Sequence, residues 1–110
     1  MADYNVTVSL GGSVTVAPAT ATADDTTPTV LGIGVLLLGD NSGATAITQL
    51  DDAVSGQQVV LVVTGSTNTP TIADSGNFNL SAAWAPGTGD TLTLVTSNGT
   101  TWYEIARSDN

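Results

Sequence analysis

Apolar and polar residues alternate along much of this chain with the two-residue period of a β-strand, and nowhere do they keep the 3.6-residue period of a helix for long. Thr91-Leu-Thr-Leu-Val95 is the plainest instance, with Leu92 and Leu94 sharing one face. Strand signals recur at residues 35–38, 46–49, 58–64, 71–73, 78–81, 91–95 and 101–106. Between them lie Gly39-Asp-Asn-Ser-Gly43, Asp74-Ser-Gly-Asn77, Pro86-Gly-Thr-Gly-Asp90 and Ser97-Asn-Gly99, which have the composition of turns. Residues 46–54 carry apolar side chains at near-helical spacing, but Thr48 and Asp51-Asp52 limit them to one turn. The expected fold class is all-β, and the spacing suits a sandwich, a barrel or a stack of rungs.

Two strands break the alternation. Val35-Leu-Leu-Leu38 and Val59-Val-Leu-Val-Val63 are apolar at every position, so both of their faces call for cover. The sequence has no helices to lay on a second face. What remains is a second sheet of the same chain on one side and another subunit on the other. The pattern therefore predicts a homo-oligomer, with Leu36, Leu38, Val60, Val62, Leu92, Leu94, Trp102 and Arg107 as its core and interface residues. The whole apolar run from Val30 to Leu38 reads as a buried strand. It has nine residues, two of them glycine, against roughly 20 for a helix that crosses a bilayer.

The N-terminal stretch reads as a β-hairpin over residues 6–16. A three-residue loop at Gly11, Gly12 and Ser13 pairs Leu10 with Val14 and Val8 with Val16 on one face, whereas a two-residue Gly-Gly turn scatters the apolar side chains over both. Residues 17–29 contain Pro18 and Pro28 and otherwise mostly Ala, Thr and Asp, with no large apolar side chain, and read as an extended linker. Three parts are thus expected: an arm over 1–16, a linker over 17–29, and an all-β oligomerising domain over 30–110.

Composition narrows the chemistry. The 110 residues hold one Lys or Arg against ten Asp and Glu, for a formal charge of −9, which opposes binding to nucleic acid because Arg107 alone cannot neutralise a row of phosphates. With no Cys and no His, the chain has no disulfide, no thiol nucleophile, no imidazole base and no ordinary zinc, haem or iron–sulfur ligands. Charged residues are 10% of the chain, well under the quarter or so of a typical domain, which leaves an apolar surface for a free monomer. Met1 to Val6 lacks the basic and apolar regions of a secretory signal, so no export and no membrane association are expected. Asn5, Asn79 and Asn98 match the glycosylation acceptor pattern but read as strand and turn residues.

The remaining candidates have structural readings that outweigh the chemical ones. Asp24-Asp25, Asp51-Asp52, Asp74, Asp90 and Glu104 could supply an acid–base pair as in glycoside hydrolysis, but most sit beside Gly, Ser, Asn or Thr, where Asp caps turns. Asp40-Asn41-Ser42 and Asp51-Asp52 offer hard oxygen atoms for calcium without the ligand spacing of a calcium loop. No cofactor is expected. Trp102 and Phe78 read as core or inter-subunit anchors, while Trp84, in a loop of small residues, is the candidate surface contact. Arg107 reads as an interface clamp that pairs with Glu104 or with an Asp of another subunit.

Four segments together resemble a known module. Gly56-Gln-Gln-Val-Val-Leu-Val-Val63, Thr71-Ile-Ala-Asp-Ser-Gly-Asn-Phe-Asn-Leu80, Gly89-Asp-Thr-Leu-Thr-Leu-Val95 and Asn98-Gly-Thr-Thr-Trp-Tyr-Glu-Ile-Ala-Arg-Ser108 are similar to the successive rungs of a short β-helical module in tailed-bacteriophage virion proteins. Such modules occur near the ends of tail fibres and tailspikes and in small capsid appendages. The resemblance runs from Val30 to Ser108 and implies a stacked-rung β-helix or β-prism-like homotrimer with a structural role in a virion assembled in the host cytoplasm. A β-sandwich or jelly roll is the alternative fold. The shortness of the stretch before the module shifts the expectation from a long fibre towards a capsid cement or decoration protein. Its partner would be the major capsid protein or another virion protein, gripped by Tyr4, Val6, Val8, Leu10, Val14 and Val16 of the arm. The alternative function is a tail-fibre or head-fibre module that recognises host glycans through Trp84.

Overall fold

The computed structural model of the chain describes residues 17–110. These residues form a single mixed sheet of six strands and no helix. In chain order the strands are β1 (Ala19–Thr20), β2 (Val35–Leu38), β3 (Gln58–Val63), β4 (Phe78–Asn79), β5 (Thr91–Thr96) and β6 (Trp102–Ser108). Their order across the sheet is β1-β2-β3-β5-β6-β4. β1, β2 and β3 run parallel, β5 is antiparallel to both β3 and β6, and β4 is parallel to β6. The long strands hold the middle and a two-residue strand lies at each edge, β4 pairing only with Trp102 and Tyr103 of β6.

Parallel neighbours need long crossovers, and here the crossovers build the second layer. Residues 21–34 and 39–57 leave the sheet, cross its inner face and return. They meet each other and the next loop through the parallel bridges Thr29–Asp51 and Ala46–Thr71 and the antiparallel bridge Ile72–Trp84. Val30, Ile47, Leu50, Ile72, Leu80 and Trp84 of this layer pack on Leu36, Leu38, Val59, Leu61, Val63, Leu92, Leu94 and Trp102 of the sheet to make the core. A Leu or Val side chain taken fully out of water contributes about 1.5–3 kcal/mol, so this layer is where stability resides. Gly65 lets two loops close over one end. A Cβ there would fall on the backbone carbon of Gly39 and the amide nitrogen of Asp40.

Several expectations meet the fold directly. The strands expected at 35–38, 58–64 and 91–95 form as β2, β3 and β5 with boundaries within a residue. Residues 46–49 and 71–73 make isolated bridges instead of ladders, because they belong to the irregular second layer. The expected strand at 78–81 contracts to Phe78–Asn79, and the expected helical turn within 46–54 is absent. The linker reading of residues 17–29 is corrected. Ala19 and Thr20 pair with Leu36 and Leu37, Pro28 is buried, and the amides of Ala21, Thr48 and Asp51 bond the carbonyls of Leu37, Thr26 and Pro28. Small side chains let this segment approach closely enough for main-chain hydrogen bonds to hold it where apolar contacts are few. The hairpin expected over residues 6–16, with Tyr4, Val6, Val8, Leu10, Val14 and Val16, lies outside the described residues.

Candidate functional site

Alternation along the strands divides the sheet into two different surfaces. On β3, Val59, Leu61 and Val63 point inward and are at most 1% exposed, while Val60 and Val62 point outward and are half-buried. Leu36 and Leu38 likewise face the core while Val35 and Leu37 do not. Leu92 and Leu94 face inward and Thr91, Thr93 and Val95 outward. Of the residues expected in the core or interface, Leu36, Leu38, Leu92, Leu94 and Trp102 are therefore core of the single chain, and Val60 and Val62 alone lie on the second face.

The strand register assembles that outer face row by row. Val35, Val60, Thr93 and Ala106 are direct neighbours across four strands, and Thr20, Leu37, Val62, Thr91 and Ser108 form the next row. Gln58, Val95 and Tyr103 form a third. A β-bulge between Thr93 and Leu94 sets one extra residue into β6 at this point. Ile105 lies at the bulge and is 54% exposed, and Tyr103 is 43% exposed. No acidic or basic side chain lies on these rows. Among the described residues, every Asp sits outside the strands, and Glu104 stands opposite Leu94 on the inward side.

Most of the aspartates considered for catalysis or calcium accept hydrogen bonds within the loops. Asp24 Oδ1 and Oδ2 accept from the amide and hydroxyl of Ser42 at 2.8 and 2.9 Å, while the Asp24 amide donates to Asn41 Oδ1 at 2.7 Å. Asp40 Oδ1 accepts from the amides of Ser66 and Thr67 at 2.7 and 3.0 Å, which lowers its pKa from the usual carboxylate value. Asp74 takes the amide of Leu80, and Asp90 takes those of Gly87 and Asn110. These bonds tie the loops at 22–25, 40–42 and 66–68 to one another. Among the described residues no three or more His, Cys, Asp or Glu side chains converge to hold a metal ion.

Arg107 is a clamp within one chain. Its Nε and Nη2 donate to Glu104 Oε2 and Oε1 at 2.7 and 2.9 Å, and Nη2 also donates to the Ala82 carbonyl at 2.8 Å. Glu104 in turn accepts from the amide and hydroxyl of Ser81. The fork geometry fastens the loop after β4 to β6 and holds the Glu104 pKa down at about 2, the hydrogen bond from Arg107 being the largest cause. Of the two partners expected for Arg107, Glu104 is the one it pairs with in this chain, three residues away on the same strand, and the Ala82 carbonyl takes a further bond.

The aromatic residues are also placed differently from one expectation. Trp84 is 4% exposed, its backbone paired with Ile72 and its ring in the core, so it is not the surface contact expected of it. A cleft of about 260 Å³ beside it is lined by Pro86, Asp90, Arg107 and Asp109 as well, but Arg107 is already committed to Glu104 and the Ala82 carbonyl and Asp90 to backbone amides. Trp102 is fully buried and its Nε1 donates to Gln49 Oε1 at 3.2 Å. Two features of the fold leave little trace in the sequence. Gln57 is a buried staple: its Nε2 donates to the carbonyls of Val30 and Ile33, both at 2.8 Å, and its Oε1 accepts from the Val54 amide. The joining of Val35, Leu37, Thr93 and Tyr103 with Val60 and Val62 depends on strand order, although the unbroken apolar runs signalled a second face.

Compared with family models, curated proteins and solved structures, the chain matches none.

Proposed function

We propose that this chain is a non-enzymatic structural protein of a bacteriophage virion, a homotrimeric capsid cement or decoration protein attached through residues 1–16 to the major capsid protein. The observation that carries the reading is the uncharged outer face of a well-packed sheet, where Val35, Leu37, Val60, Val62 and Val95 stand among threonines, in a small chain of charge −9. An exposed patch of that kind marks an interaction surface. The rung resemblance supports the virion assignment. The stacked-rung reading draws support from the parallel run β1-β2-β3 and from the parallel bridges Thr29–Asp51 and Ala46–Thr71, which repeat the same succession of sheet strand and returning loop. The polar loops fit a structural role, because their carboxylates serve turns and clamps.

The attachment step is tested by deleting residues 2–16 and leaving residues 17–29 in place, since Ala19–Thr20 is an edge strand of the sheet. The full chain should co-sediment with empty shells of the encoding phage, and the truncated chain should fold yet stay in the supernatant. Co-sedimentation of the truncated chain would overturn attachment through the arm.

A further inference from the structure

We propose that Asn98 is a site of spontaneous deamidation, and that the turn joining β5 to β6 sets its rate through the side chain of Thr96. The chemistry belongs to the single chain and does not depend on what the protein assembles with. Of the seven asparagines, only Asn98 is followed by glycine, the residue with no side chain to hinder its own backbone nitrogen. In the reaction the Gly99 nitrogen attacks Asn98 Cγ. The N–Cγ bond forms, the Cγ–Nδ2 bond breaks, and the Gly99 amide proton leaves with Nδ2 as ammonia. Water then opens the cyclic imide at either carbonyl, giving aspartate or isoaspartate at position 98. Asn98 is exposed, so water reaches it.

The fold itself demands the glycine that creates this liability. Gly99 has a φ of +89°, a conformation strained for any residue with a Cβ, and a Cβ there would lie 2.9 Å from the Ala53 carbonyl oxygen. The same turn holds the reaction off from both ends. The Gly99 amide donates to Thr96 Oγ1 at 2.8 Å, and that hydroxyl donates on to the Thr101 carbonyl at 2.8 Å. Thr96 is fully buried, so the attacking nitrogen gives up its proton only when the turn opens, as in amide hydrogen exchange. At the other end, Asn98 Oδ1 accepts from the amides of Thr100 and Thr101 at 2.9 and 2.8 Å and from the Thr100 hydroxyl at 3.0 Å. These bonds hold the side-chain amide in one orientation, and rotating it for attack costs them. The two products differ in what they do to the turn. Aspartate keeps an acceptor oxygen for Thr100 and Thr101. Isoaspartate carries the main chain through Cβ and Cγ, which lengthens it by a methylene group and moves Gly99 away from Thr96.

The test follows deamidation of the full chain in warm, mildly alkaline buffer by peptide mass spectrometry, which assigns the position. Folded wild type, wild type in urea, Thr96→Val and Thr96→Ser are compared, with circular dichroism to establish that the variants are folded. In urea Asn98 should deamidate before any other asparagine. Folding should slow it about a hundredfold, a factor of about ten for the hold on each end. Thr96→Val keeps the shape of the buried side chain without its acceptor oxygen and should recover about tenfold of the rate, whereas Thr96→Ser, which keeps the hydroxyl, should stay at the wild-type rate. Should Thr96→Val fail to fold, hydrogen exchange of the wild type takes its place: protection of the Gly99 amide should match the slowing of deamidation by folding, and an unprotected amide would overturn the role of Thr96. An Asn98 that deamidates as fast folded as unfolded, or a folded Thr96→Val that keeps the wild-type rate, would overturn control by the turn. Faster loss at another asparagine in urea would overturn the site itself.

Discussion

The two faces of the sheet are built from the same few residue types, alternating along the same strands, yet they do different work. Val59 and Val60 are chain neighbours. Val59 is fully buried against the returning loops, whereas Val60 lies half-buried on a face that no described loop crosses. The comparison teaches that apolar character alone does not define a core. A core side is one where the chain comes back across the sheet, as residues 21–34 and 39–57 do here, and the same side chains on the other side are surface available to a partner.

The contrast can be broken most strongly on the inner face. Trp102 is fully buried and bonded to Gln49, so Trp102→Ala should lower unfolding free energy by about 4 kcal/mol through lost burial and the cavity left behind. Urea denaturation at fixed protein concentration reads it. Val59→Thr should cost about 2 kcal/mol, because it sets a hydroxyl with no partner into an apolar layer. The same substitution one residue on, Val60→Thr, comes last in this order. It should change stability by less than about 0.5 kcal/mol. Equal costs at the two positions would erase the distinction between the faces.

Between these extremes stands the edge where Arg107 clamps the loop after β4. The Glu104 pKa falls from the usual 4.5 to about 2 in the folded chain. A carboxyl with a depressed folded pKa stabilises above its unfolded value, and that stability is lost as pH falls through the folded one. The protein should therefore lose about 2 kcal/mol between pH 5 and pH 2 from this group, allowing for solvent screening of the partly exposed Arg107. Chemical denaturation across that range should show a shallower loss for Glu104→Gln, which has no proton to gain. An identical acid profile in that variant would place the dependence elsewhere.

Much of this architecture is legible in the residues. Turn chemistry at 39–43, 86–90 and 97–99, the apolar run at 35–38 and the segments rich in Val and Thr at 58–63 and 91–95 are local preferences, and the strands form where those preferences put them. The burial of Trp84 was not legible. A tryptophan among alanines reads as exposed until the Ile72–Trp84 bridge brings its loop over the core. Nor was the docking of residues 17–29, since main-chain hydrogen bonds to distant segments leave no trace in side-chain patterning.

By itself, the sequence determined the all-β class, the strands β2, β3 and β5 to within a residue, and the demand that β2 and β3 be covered on both sides, because these follow from propensity and from a two-residue period that acts over a few residues. Only the tertiary structure decided which side the chain itself covers, which of its two expected partners Arg107 takes, and that the outward Val, Leu and Thr residues of different strands form one continuous uncharged surface. Those outcomes depend on the order in which strands join and on where long crossovers return. Both are set by contacts between residues far apart in the chain, which no local pattern encodes.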